Sequence, residues 1–120
     1  MWYYLNSSFI LTTFVRPYNY GMKIIWNHNA LSSLDENINY LKKNWYIKDV
    51  ENFLEVVDEK VRMLKSFPEI GTLCEFKPLL RQLMITKHIT LFYEIEIDAI
   101  YLHLFWLNFN DKAALQMLLS

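Results

Sequence analysis

Residues 79–107 read LLRQLMIT, KH, ITLFYEIE, ID, AIYLHLFWL, and the fold turns on this stretch. Apolar, β-branched and aromatic side chains recur with a period of two through 79–86, 89–96 and 99–107. Only Lys87-His88 and Ile97-Asp98 separate the runs. Links this short force antiparallel hairpins, because a parallel pair needs a crossover of a dozen or so residues. The Ile97-Asp98 link lacks the Asn-Gly or Asp-Gly chemistry of tight hairpins, so its turn type stays open. Strict alternation in the last run puts Ile100, Leu102, Leu104 and Trp106 on one face. It puts Tyr101, His103, Phe105 and Leu107 on the other. Both faces are then apolar, and each needs a cover.

Upstream the period changes. Lys23 to Trp26 is a short apolar strand, and Asn27 is a good helix N-cap. Leu31, Leu34, Ile38, Leu41 and Trp45 then recur at three and four, as one helix stripe does. Val50, Phe53, Leu54, Val57, Val61 and Leu64 form a second stripe. Asp49 and Glu51 open that helix and Arg62 and Lys65 close it, in keeping with the macrodipole. Pro68 ends it by excluding Phe67 from the helical region. The link around residues 45–47 is so short that the helices lie antiparallel. Residues 68–78 read as loop, and Asp111 caps a short amphipathic helix over 112–119. The predicted fold is α+β: a helical hairpin packed on a mostly antiparallel sheet, in the order β-α-α-β-β-β with a short C-terminal helix.

The 120 residues amount to one domain. One cysteine cannot form an internal disulfide or a four-thiolate zinc site, and two glycines cannot build a phosphate-binding loop. No run of about 18 apolar residues is present to span a membrane. The formal net charge of −1 gives no general attraction to nucleic acid, so free DNA is not an expected partner. Hydrophobic residues make up 53% and aromatics 17%, an excess that calls for a structural account.

Residues 1–21 differ from the rest, with Arg16 their only charged side chain. They lack the positive start and unbroken apolar run of a secretory signal. Residues 9–15 are β-prone, and Arg16-Pro17 and Tyr20-Gly21 are breakers. The expected division is an extension over 1–21, with physiological synthesis starting at Met22, and a folded domain over 22–120.

Trp26 with Ala30 and Leu34, then Ile38, Tyr40 and Leu41, and then Phe53, Leu64, Pro68 and Gly71 follow one another in an order that is informative as a set. Leu80-Arg81-Gln82-Leu83, Leu91 to Ile95 and Ile100 to Trp106 continue it. Taken together these residues resemble the RelE/ParE superfamily of toxins from bacterial type II toxin–antitoxin systems. The resemblance covers about residues 22–110 and implies a cytoplasmic growth inhibitor, neutralised by a cognate antitoxin, with no cofactor and no metal. It leaves the target open. ParE-like members act on DNA gyrase, whereas RelE-like members are metal-free, ribosome-dependent mRNA endonucleases. A third reading is an inactive or solitary member that only binds a partner.

Metal-free RNA cleavage needs a base, an acid and cations that stabilise the phosphorane. Arg81 is the candidate cation, on a strand expected to face the groove opposite the hairpin. Lys77, Lys87 and His88 would extend it into a basic patch, and His103 is a candidate acid. The bland readings are an Arg that bridges strand and loop, solvated turn lysines and a hydrogen-bonded strand histidine. RelE-like nucleases carry catalytic Arg, Tyr or His after the last strand, and residues 108–120 contain none of the three. That departure favours the gyrase-directed branch. Tyr101, His103, Phe105 and Leu107 are the expected partner-binding face.

Overall fold

The computed structural model describes residues 22–44, 46–108 and 110–119. The readings made for residues 1–21 and Trp45 lie outside them. The elements are β1 (Lys23–Trp26), α1 (His28–Asn44), α2 (Ile47–Ser66), a 3₁₀ turn (Pro68–Ile70) and β2 (Thr72–Leu73). Then come β3 (Leu80–Thr86), β4 (Ile89–Ile95), β5 (Ala99–Leu107) and α3 (Lys112–Leu119). The five strands form one sheet in the order β1-β5-β4-β3-β2. β1 runs parallel to β5, and every other pair is antiparallel. The expected α+β architecture is present, with β2 added inside the segment read as loop.

Local chemistry sets the helix ends. The Ala30 N–H donates to Asn27 Oδ1 at 2.8 Å, so Asn27 caps α1. The Tyr46 N–H donates to the Asp49 carboxylate at 3.0 Å at the start of α2. Phe67, forced out of the helix by Pro68, has φ −131° and ψ 69°. The Glu96–Ala99 hairpin closes through the Glu96 N–H and the Ala99 carbonyl at 2.8 Å. No described residue has a positive φ, so this link is neither of the primed turns that hairpins prefer.

The hairpin covers one face of the sheet. Leu34 and Ile38 of α1 and Val57, Val61 and Leu64 of α2 pack against Ile24, Leu91, Tyr93, Ile100 and Leu102. On the second face Leu115 and Leu119 of α3 pack against Cys74, Leu80, Phe92 and Leu104. The two faces are not divided as strict alternation requires. Tyr93 pairs with Leu102 and Phe92 with Leu104, which leaves His103 as the extra residue of a β-bulge. The bulge inverts the pattern beyond it. Ile100, Leu102, Phe105 and Leu107 face the hairpin, whereas Leu104 and Trp106 share the second face with α3.

β1 stops at Trp26, opposite Leu102. Beyond that point α1 supplies the missing edge bonds. The Phe105 N–H donates to Ser33 Oγ at 2.9 Å, and Asn37 Nδ2 donates to the Phe105 carbonyl at 3.2 Å. Both side chains are buried, and these bonds are what make polar residues tolerable there.

Candidate functional site

Arg81 pairs with Tyr93 across β3 and β4, which places it on the hairpin side of the sheet. The expected position opposite the hairpin is therefore corrected. Its Nη1 donates to the Gly71 carbonyl at 2.8 Å and, more weakly, to that of Glu69 at 3.4 Å. Tyr93 works beside it: its hydroxyl donates to the Pro68 carbonyl at 2.7 Å and accepts from the Gly71 N–H at 2.9 Å. Burial pushes the Tyr93 phenol above its usual range, against the opposing pull of the Gly71 N–H and Arg81. A Cβ at Gly71 would stand 2.7 Å from both the Gln82 carbonyl and the Tyr93 hydroxyl, so only glycine fits under this clamp. The guanidinium thus serves the turn that leads out of α2.

The other cations sit elsewhere. Lys77, in the loop before β3, donates to the Leu119 carbonyl at the end of α3. Lys87 and His88 form the β3–β4 turn, and the six residue steps from Arg81 to Lys87 carry the chain about 20 Å along and just past β3. Asn108 staples that turn to the end of β5. Its N–H donates to the His88 carbonyl at 2.8 Å, and its amide donates to the Lys87 carbonyl at 3.2 Å. The four expected members of a basic patch therefore occupy three separate places, because strand length and the two faces of the sheet divide them.

The expected partner-binding face is divided too. Tyr101 and His103 belong to the second face. Phe105 is only 2% exposed and stacks on Trp26 with ring centroids 5.7 Å apart, within the main core. Leu107 lines a mostly apolar groove of about 360 Å³ between the hairpin tip and the β3–β4 turn. Tyr40, Phe53, Val56 and Ile89 are among its other lining residues, together with the charged Asp49 and Lys87. A more polar cleft of about 340 Å³ opens on the second face, beside Gln82, Phe92, Trp106, Asn110 and Leu115.

His103 is set by its neighbours. Asn27 Nδ2 lies 3.2 Å from His103 Nδ1, and Asn27 Oδ1 is already the α1 cap. The imidazole therefore accepts at Nδ1 and carries its proton on Nε2, 3.9 Å from Glu94 Oε1. Burial, and secondarily Lys77, hold its pKa below the ordinary histidine value. No three His, Cys, Asp or Glu side chains gather as metal ligands among the described residues. No helix among them is long and apolar enough to cross a membrane.

The family model described as the ParE toxin of the type II toxin–antitoxin system parDE matches residues 24–104. The chain belongs to that family. A solved structure from the chromosomal ParDE toxin–antitoxin system of P. aeruginosa has the same fold, with a TM-score of 0.63 at 16% identity. The match covers 72% of this chain and 95% of that one. No curated protein matches. In this ParE-family toxin the matched stretch holds the hairpin, the clamped turn and most of the sheet. Phe105 to Leu107 and all of α3 lie beyond it.

Sequence reasoning missed Tyr93, Asn108 and the contact between Asn27 and His103. Asn27 carried a cap signal, but nothing in its surroundings pointed 76 residues along the chain to its second partner. Tyr93 follows Leu91 and Phe92 in a strand run, where an aromatic ring reads as core and its hydroxyl gives no periodic signal.

Proposed function

We propose that the chain is a growth-inhibiting cytoplasmic toxin that binds an essential protein, DNA gyrase, and is held inactive by a cognate antitoxin. The family match over residues 24–104 carries this reading. The geometry supports a binding protein over a nuclease. Arg81 is engaged with backbone carbonyls, the remaining cations are dispersed, and residues 108–120 supply no Arg, Tyr or His. The apolar groove beside Leu107 is open surface suited to a protein partner.

Purified toxin added to a gyrase supercoiling assay should inhibit it, and co-expression with the antitoxin should restore growth. Codon-positioned mRNA cuts on translating ribosomes, with gyrase unaffected, would overturn the reading. The Arg81→Ala variant, if folded, should inhibit gyrase as the parent does, because its side chain supports a turn and not a phosphate.

A further inference from the structure

The bulge in β5 brings His103 to a meeting point of three other segments. Asn27 precedes α1, Glu94 lies on β4, and Lys77 reaches from the β2–β3 loop to the last carbonyl of α3. A cavity of about 180 Å³ lies beside His103, lined also by Asn29, Lys77, Leu104, Leu118 and Leu119. His103 Nε2 is shielded from solvent and makes no hydrogen bond.

This arrangement suits only the neutral imidazole. Asn27 presents its amide N–H to Nδ1, and it cannot turn round without giving up the cap on Ala30. When His103 gains a proton, both ring nitrogens become donors, and donor then faces donor at Asn27. The new charge also stands close to the Lys77 ammonium, which ties down the Leu119 carbonyl on the last turn of α3. Glu94 is the opposing influence, since it attracts the imidazolium, and it shares a hydrogen bond with Glu96 that raises the Glu96 pKa. Asn27 and Asn29 carry no charge.

We propose that His103 is a proton-operated latch for α3: neutral, it leaves Lys77 holding the Leu119 carbonyl, and protonated, it loosens α3 from the second face of the sheet. The depressed pKa of His103 agrees in sign. The stabilisation is present above the unfolded histidine value of about 6.5 and is lost as pH falls towards the folded value.

The only cysteine supplies a reporter. Cys74 is buried under α3, against Leu115 and Leu119. Its labelling by 4,4′-dithiodipyridine, divided at each pH by the rate for the urea-unfolded chain, measures opening of α3. The normalised rate should rise several-fold from pH 8 to pH 5, because the opened state takes up the proton that the closed state excludes. His103→Asn keeps an acceptor for Asn27 but cannot titrate, and its rate should be flat with pH. Glu94→Gln should retain the rise at a lower midpoint, and Lys77→Met should label fast at both pH values. An equal rate at the two pH values in the parent would overturn the latch. So would the same rise in His103→Asn, or a rise that coincides with cooperative loss of circular dichroism.

Discussion

One sheet here carries two quite different covers. The hairpin brings helices of 17 and 20 residues to the first face, whereas α3 brings eight residues to the second. Along the hairpin Val57, Val61 and Leu64 are completely buried. On α3 only Leu115 and Leu119 are buried, while Met117 is 79% and Leu118 54% exposed. The first face is where folding free energy is concentrated. The second is held by few contacts, and such an element opens at far lower cost than the whole domain unfolds. One side of the sheet therefore makes the fold and the other can respond to conditions.

The largest expected effect tests the first face. Leu64→Ala should lower unfolding free energy in urea by about 3–5 kcal/mol, the range for a large cavity in a rigid core. Gly71→Ala drives a Cβ into the Gln82 carbonyl and the Tyr93 hydroxyl, and should cost about 2 kcal/mol by the same measurement. Tyr93→Phe leaves the buried Gly71 N–H without its acceptor, which should cost about 1–2 kcal/mol and lower Tm accordingly. The smallest global effect belongs to the second face. Leu115→Ala should change urea stability by only about 1 kcal/mol, because α3 can detach before the core gives way. Its main signature should be faster labelling of Cys74. If Leu115→Ala proves as costly as Leu64→Ala, the two faces form one cooperative unit and the contrast fails.

Much of this was legible in the sequence because local and global signals agree. The two helix stripes, the Asn27 cap, the stop at Pro68 and the three strand runs each follow from a period or a breaker that the tertiary structure leaves in force. The bulge was not legible. Residues 99–107 are apolar on both faces, so a one-residue change of phase leaves no mark in the pattern. Ser33 and Asn37 look like surface residues by type, and only the early end of β1 makes them ladder substitutes. The candidate site was harder still. Charge type identified Arg81, Lys77, Lys87 and His88, but whether side chains converge depends on strand register, and register placed them apart. Tyr93 and Gly71, which do act together, are 22 positions apart in sequence.

The bulge has a consequence for editing the chain. Omit His103 from β5, and AIYLLFWL alternates without fault, with Ile100, Leu102, Phe105 and Leu107 inward and Tyr101, Leu104 and Trp106 outward. Every apolar assignment of the native strand survives the omission. His103 is thus an insertion that the hydrophobic code of the sheet does not need, carried in the middle of a central strand. A chain lacking this one residue should still fold, which makes the histidine a detachable part of the scaffold.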